Sequence, residues 1–271
     1  MIKEIHYRSW DQFKTQFWEH LPTESRRGKG DFVFRGHSNS AWPLEPSFTR
    51  AFRDAPSKAL QSFQALLLKN FGEDVNLSGK TFTSGKPFLK RKPRERWAFG
   101  QHYGLPTPLL DWSESPYIAT FMACEDAFNT IVKERMASNR RELNALSDRL
   151  SLFALRKNVH PYTADWKRMK VEFVDFRDID NPRVRTQLGL FTVLPTNHKT
   201  LDDCIESYCR GRAGRKLSVS DFLLKFTLPY SAVFDALVDL ELMDITPRRL
   251  YEGLEGICKS AKLRTQISTF S

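Results

Sequence analysis

The chain has 271 residues, of which 41% are hydrophobic and 13% aromatic, and this composition excludes an intrinsically disordered protein. Its 42 basic and 32 acidic residues give a formal net charge of +10, which favours encounter with a polyanion. No apolar run approaches the roughly 18 residues of a membrane span, and the start, MIKEIHYRSW, lacks the apolar core of a signal peptide. We therefore expect a cytoplasmic protein without a membrane partner.

The first predicted helix begins after Ser9, because Ser9 and Gln12 form a capping box. A short apolar strand follows at residues 31–34, and Arg35 and Gly36 come directly after it. A guanidinium is costly to bury unless an anion or several acceptors meet it. Arg35 is therefore either a ligand-binding residue or a solvated arginine at a strand end, with Gly36 in a turn.

The rest of the chain alternates between helix and strand signals, with no repeat and no linker. Helices are predicted at residues 56–71, 94–103, from 116 onward, 134–150, 201–210, 231–242 and 247–261. Strands are predicted at residues 109–112, 151–156, 171–176, 188–193 and 223–228. This mixture predicts the α+β class, with one sheet system flanked by helices in a single domain, residues 1–271.

A second unusual run, QHYGLPTPLLDWSESPY, places polar residues around the end of a strand. His102 and Tyr103 lie where a helix ends, and Asp111 and Ser113 lie where the next strand ends. We expect these four residues and Arg35 to line one cleft at an edge of the sheet. Each also has a purely structural interpretation, such as a helix-terminal role for His102 or a helix-approach role for Ser113.

Two late runs add polar residues near apolar elements. Arg183 and Gln187 precede the strand at residues 188–193, and Glu252 and Glu255 lie three apart in the last predicted helix. The four cysteines show no metal-ligand spacing, and the tight clusters of carboxylates and histidines that a metal-dependent nuclease needs are missing. We therefore expect no metal.

The positive charge is concentrated in two runs. Residues 86–96 carry six basic residues against one acid, and residues 210–216 form a second cluster. We assign Lys90, Arg91, Lys92 and Arg94 to contacts with nucleic-acid phosphates. A solvated loop of the same composition is the alternative.

In their order, these runs resemble the bacterial FRG-domain family, over about residues 5–260. The resemblance is carried by four motifs: Phe34-Arg35-Gly36; Trp42, Leu44, Pro46 and Ser47; the run from Gln101 to Ser113; and Arg183, Gln187, Gly189 and Phe191. A fifth, shorter likeness is Leu254-Glu255-Gly256. One departure is Pro108, where the family has an arginine before LLDW.

The family's motif order is in turn similar to that of ADP-ribosyltransferases, which implies a sheet of that kind and NAD as co-substrate. The resemblance implies that Arg35, Gly36, His102, Tyr103, Asp111 and Ser113 bind NAD. It implies catalytic roles for Arg35, Ser113, Gln187 and Glu255. Gln187 occupies the position of the transferases' catalytic glutamate, so Glu255 or Glu252 would have to supply the missing charge.

The resemblance and the charge together predict an NAD-dependent mono-ADP-ribosyltransferase that modifies RNA or single-stranded DNA. Such an enzyme would act as a toxin or phage-defence effector, with an antitoxin protein as a possible partner. One alternative is a non-catalytic nucleotide- or nucleic-acid-binding module, and another is a cleft enzyme of the nuclease type.

Overall fold

The computed structural model describes residues 2–21, 30–79, 87–137, 148–157, 161–175, 186–211, 217–251 and 253–270. Within them the elements follow one another as β1 (Lys3–His6), α1 (Trp10–Gln16), β2 (Phe32–His37), α2 (Ser47–Ala51), α3 (Ser57–Leu77), α4 (Pro93–His102), β3 (Leu109–Ser113), α5 (Pro116–Ala137), β4 (Arg149–Arg156), α6 (Thr163–Met169), β5 (Glu172–Val174), β6 (Gly189–Val193), α7 (Leu201–Arg210), β7 (Leu223–Pro229), α8 (Val233–Leu242), α9 (Pro247–Leu250) and α10 (Gly253–Phe270).

The seven strands form one mixed sheet in the order β1-β7-β4-β2-β3-β6-β5. All neighbouring pairs are antiparallel except β1 and β7, which run parallel. Strand β2 therefore lies in the middle of the sheet, with β4 on one side and β3 on the other. The predicted α+β arrangement in a single domain is confirmed.

Helices cover both faces of this sheet. Side chains alternate between the two faces along each strand, so apolar side chains of one strand contribute to a core on either side. Phe32 and Phe34 of β2 belong to a core that includes α1, α5 and α8, whereas Val33 packs into a second core with α6 and α7. Leu152 and Leu155 of β4 divide in the same way between the two cores. Within the described residues, no helix is long and apolar enough to cross a membrane.

The local signals in the sequence explain most element boundaries. Ser9 accepts a hydrogen bond from the Gln12 amide at the start of α1, and Pro93 and Pro116 begin α4 and α5. Strand β2 continues to His37, three residues beyond the predicted end. The helix predicted at 247–261 is instead two helices, because the chain is extended at Tyr251 and Gly253 has a positive φ of 56°.

One further helix prediction meets the structure only in part, and some elements were not predicted. Residues 134–137 of the helix predicted at 134–150 end α5, Arg149 and Leu150 belong to β4, and residues 138–147 lie outside the described residues. Strand β1 and helices α2 and α6 were not predicted.

Candidate functional site

The central feature of the site is a split between β2 and β3. These strands share a single register pair, Phe34 with Ser113. Continued pairing would place Gly36 opposite Asp111, but the strands diverge there, although β2 remains paired with β4 along its whole length. The split opens a cleft in the middle of the sheet.

The side chain of Arg35 bridges this split. Its Nη1 donates to the backbone carbonyl of Asp111 at 2.9 Å and to the Asp111 carboxylate at 2.6 Å. The Arg35 side chain is mostly buried, whereas the Asp111 side chain is 60% exposed. Arg35 is thus paired with an anion and a carbonyl, so the structure excludes a freely solvated strand end.

The Arg35 charge fixes the ionisation of Asp111. Partial burial favours the neutral acid, but the charge and the hydrogen bond of Arg35 outweigh it and hold the pKa of Asp111 below its usual range. Asp111 is therefore a carboxylate at neutral pH. It also accepts a hydrogen bond from Nε2 of Gln101, at the end of α4, at 3.1 Å.

His37 orients Arg35 from the other side. The two side chains lie on the same face of β2 because they are two residues apart, and Nε of Arg35 donates to Nε2 of His37 at 3.0 Å. That bond requires the neutral tautomer protonated on Nδ1, whose N–H faces the Trp42 carbonyl at 3.4 Å. Burial, and then the Arg35 charge, lower the pKa of His37 to about 3.

Gln101 is held in place by the loop that leads into β3. The Thr107 hydroxyl donates to Oε1 of Gln101, and the Thr107 amide donates to the Ser47 hydroxyl at 2.9 Å. This chain of hydrogen bonds connects the start of α2 to the carboxylate of Asp111. These hydrogen bonds give Gln101, Thr107 and Asp111, in the run from Gln101 to Ser113, a structural role that requires no ligand.

Arg35 lines two adjoining cavities, called here the inner and the outer cavity. The inner cavity has a volume of about 190 Å³ and is lined by β2, β3, β6 and α5, including Asp111, Ser113 and Gln187. The outer cavity, about 400 Å³, lies between β2, α5 and the segment that leads into α2. Arg35, Gly36 and Met122 line both.

The outer cavity combines arginines with an exposed aromatic ring. Arg50 and Arg53 line it, and Trp42 is 51% exposed there although it is large and apolar. The arginines are partly neutralised by Glu45, whose carboxylate binds Arg53 at 2.8 Å and whose carbonyl binds Arg50 at 2.7 Å. Cationic groups beside an open aromatic face are suited to a nucleotide, with the base stacked on the ring.

Gly36 is required by helix packing. A Cβ atom at this position would lie 2.0 Å from the carbonyl oxygen of Ala119 in α5. Only glycine lets α5 approach the strand this closely. The glycine of the first motif thus sets the distance between α5 and the cleft.

Ser113 and Gln187 line the inner cavity, but their polar groups are engaged by the protein. The Ser113 hydroxyl donates to the Gln187 carbonyl at 2.7 Å and accepts from the Ser115 amide at 3.1 Å. The side-chain amide of Gln187 donates to the Leu250 carbonyl at 3.1 Å. Both residues therefore fasten β3, β6 and the end of α9 to one another.

Three other expected site residues lie elsewhere. Glu255, in the first turn of α10, is exposed, pairs with Lys259 at 3.3 Å and is not among the residues that line either cavity. His102 and Tyr103 contact each other at the end of α4 and do not line the cavities. Successive residues of a helix point in different directions, and on α4 it is Gln101, the residue before His102, whose side chain contacts Asp111. Glu252 and Arg183 lie outside the described residues.

The basic segment is only partly available for phosphates. Arg91 is 7% exposed, and Arg94 forms an ion pair with Glu172. Lys90 and Lys92 are exposed.

The sequence did not predict Trp42, Arg50 and Arg53 as cavity residues or His37 as the partner of Arg35. His37, Trp42 and Arg50 lie in residues 34–50, the run that starts with the Phe-Arg-Gly motif. Their closeness to this motif in the sequence was the feature that could have indicated them.

The comparison with known families covers the first three motifs of the resemblance. Residues 30–130 match the family model described as FRG domain, and this range covers β2, α2, α3, α4, β3 and most of α5. The chain therefore carries an FRG domain, and Arg35, Asp111 and the outer cavity all lie within it. No curated protein and no solved structure matches the chain. Among the described residues, no group of three or more metal-ligating side chains could hold a metal ion.

Proposed function

We propose that the chain is an NAD-dependent mono-ADP-ribosyltransferase of the cytosol, with the cleft between β2 and β3 as its active site. The observation that carries the proposal is the split itself: an ionised carboxylate and a buried guanidinium face each other across a break in the central sheet. The outer cavity alone, at about 400 Å³, falls within the roughly 300–1,000 Å³ of ligand pockets.

The proposed roles follow from the two cavities. NAD supplies the ADP-ribosyl group, whose C1′–N bond to nicotinamide breaks while an acceptor oxygen or nitrogen bonds to C1′ and releases a proton. Asp111 keeps its negative charge beside the ribose and stabilises the positive charge that develops as the bond breaks. Arg35 positions Asp111, and Trp42, Arg50 and Arg53 receive the adenine and its phosphates.

This assignment gives Asp111 the electrostatic role that the sequence assigned to Glu255 or Gln187. Asp111 lines the inner cavity and Glu255 does not. Gln187 lines the cavity, but its amide is bound to Leu250. The acceptor is proposed to be nucleic acid, and a toxin or defence role with a neutralising protein partner is the corresponding biological setting.

A non-catalytic nucleotide-binding module is the second candidate. It is favoured by one observation: the late motif brings no carboxylate into the cavity, because its glutamine is used to hold α9. In that case the cleft would bind NAD or another nucleotide and release it unchanged.

The deciding experiment follows the release of nicotinamide from NAD labelled on the nicotinamide ring, with RNA, single-stranded DNA and protein offered as acceptors. We expect the wild type to release label, and Asp111→Asn to be slower by about 10²-fold, since one preorganised charge is lost. Asp235→Asn, an exposed carboxylate on α8, is the matched control. Binding of NAD without release in the wild type would select the second candidate.

A further inference from the structure

A second concave surface lies outside the cleft, between helices α3 and α4. This α3–α4 groove has a volume of about 560 Å³, and its chief lining residues are Gln61, Gln64, Leu68, Lys69, Arg96 and Trp97. Those from α3 recur at helical spacing and form one stripe along the helix. The groove therefore follows one face of α3 and is closed on its other side by residues of α4.

The floor of the groove is apolar and its walls are polar. Leu68 and Trp97 are buried beneath it, and the amides of Gln61 and Gln64 stand along one side. Side-chain amides both donate and accept hydrogen bonds, as the edges of nucleic-acid bases do. This combination suits flat, polar-edged groups that lie on an apolar surface.

The cations of the groove have little neutralisation. Nε of Arg96 is buried and has no hydrogen-bond partner among the described residues. Lys69 pairs with Glu73, an acid that also lines the groove, at 3.8 Å, and both side chains are more than half exposed. Such a pair contributes little and leaves the lysine available to an anion.

Two further lysines extend the positive charge beyond the groove. Lys90 follows Leu89 and Lys92 precedes Pro93, and both Leu89 and Pro93 line the groove. Both lysines are exposed. The cations of this region are therefore Lys69, Lys90, Lys92 and Arg96, which retains two of the four residues first assigned to phosphates and replaces the buried Arg91 and the paired Arg94.

Helix α4 connects the groove to the cleft. Arg96 lies in the groove, and Gln101, five residues later on the same helix, holds the carboxylate of Asp111. Five residues of helix rise about 7.5 Å, at roughly 1.5 Å per residue. A strand seated in the groove would therefore end close to the cleft.

We infer that the α3–α4 groove binds single-stranded nucleic acid, with phosphates on Lys69 and Arg96 and bases on the apolar floor. The binding itself is independent of catalysis, and only the identification of this strand as the acceptor rests on the proposed transfer. A single strand fits better than a duplex because the floor and the amides need unpaired bases.

The test is fluorescence anisotropy of the full chain with labelled 12-residue single-stranded RNA and DNA and a DNA duplex, at several salt concentrations and without NAD. We expect the wild type to bind single strands more tightly than the duplex. Lys69→Gln with Arg96→Gln should weaken single-strand binding and lower the slope of log affinity against log salt by about 1.4, roughly 0.7 for each lost phosphate contact.

The matched control is Lys133→Gln with Lys167→Gln, two exposed lysines on α5 and α6, which lowers the net charge by the same amount. A second variant, Ala65→Glu, puts a negative charge on an exposed wall position and tests the groove without touching Arg96. We expect it to weaken binding while the melting temperature stays unchanged.

Three outcomes would overturn the inference: no binding of single strands by the wild type at 50 mM salt, equal effects of the groove and control variants, or preference for the duplex. Each is separable from failure of the proposed function. If single strands bind through the groove but nicotinamide is never released, the inference of a nucleic-acid groove is supported and the proposed transferase activity is wrong. If nicotinamide is released but oligonucleotides do not bind, the reverse holds.

Discussion

Nη1 of Arg35 holds both the main-chain carbonyl and the carboxylate of Asp111, 76 residues later in the chain, across the point where β2 and β3 separate. In an unbroken antiparallel ladder, Gly36 would face Asp111. The guanidinium instead satisfies the carbonyl that the split leaves without its strand partner. One side chain thereby stabilises the break and the carboxylate beside it.

The first prediction concerns the energetic coupling of this pair. In urea unfolding, a double-mutant cycle of Arg35→Ala and Asp111→Ala should give a coupling free energy of about 1 kcal/mol, since the Asp111 side chain is largely exposed and solvent screens the pair. Arg53 and Glu45 provide a second arginine–carboxylate pair for comparison. Additive effects of the two single substitutions would show that the pair is not coupled.

The second prediction concerns pH. The pKa of His37 is about 3 in the folded protein against a usual value of 6.5, so between these values the unfolded chain binds a proton that the folded chain does not. The free energy of unfolding should therefore fall as the pH decreases through this window, by up to about 1.4 kcal/mol per pH unit. Urea unfolding at pH 7, 6, 5 and 4 measures it.

His37→Gln is the matched variant, because glutamine still offers an acceptor to Arg35 and does not titrate. Its stability should depend less on pH than that of the wild type between pH 6 and 4. Identical pH profiles for the two proteins would mean that His37 takes up its proton without cost in the folded state.

The third prediction concerns the packing of α5. Gly36→Ala should lower the free energy of unfolding by about 1–3 kcal/mol or more, since its Cβ would meet backbone that cannot move aside freely. Gly211→Ala is the control: its φ is −72° and the nearest atom to an added Cβ is 3.5 Å away. Chemical denaturation measures both. Equal stabilities of the two variants would contradict the close approach of α5 to β2.

The fourth prediction separates the two late residues. Gln187→Ala should lower the melting temperature by about 2–4 °C, because a hydrogen bond of about 1 kcal/mol to the Leu250 carbonyl is lost. Glu255→Gln should leave nicotinamide release within twofold of the wild type, since Glu255 lies outside both cavities. Loss of most of the nicotinamide release in Glu255→Gln would contradict this prediction and indicate a catalytic role for Glu255.

The fifth prediction concerns Trp42. Trp42→Ala should weaken NAD binding, measured by calorimetry, by about tenfold or more, since a stacked base contributes roughly 1–3 kcal/mol. Trp42→Phe keeps an aromatic face and should retain most of the affinity. Because the ring is half exposed, neither variant should shift the melting temperature appreciably. Equal affinities of all three proteins would place the base elsewhere.

The sequence predicted six of the seven strands, because each of these six overlaps a short run rich in apolar residues. It missed β1, whose residues Lys3–His6 are mostly exposed and polar and which is a strand only because β7 pairs with it. It also placed the end of β2 too early, since Arg35 and His37 read as loop residues. In the structure they remain within the strand by satisfying each other.

The sequence predicted those parts of the site in which a polar residue stands at the end of an apolar strand. Arg35, Asp111 and Ser113 were expected at one cleft, and they line the same inner cavity. His102 remains a prediction as a ligand-binding residue, whereas the contact of Gln101 with Asp111 depends on the rotation of α4, which a short motif does not determine. Glu255 was assigned to the site because its motif comes last in the family's order. The sequence pattern predicted one continuous helix there and did not indicate the break between α9 and α10.

The boundaries of the family match and those of the folded unit differ. The match ends at residue 130. Of the strands in the described residues it contains β2 and β3, whose single shared pair cannot hold a sheet together. Their extensive partners, β4 and β6, come later in the chain. An excised fragment of residues 30–130 would present two unprotected strand edges and should aggregate. A fragment that is to fold must therefore include β4 and β6 as well as the matched residues, so the folding unit is longer than the family match.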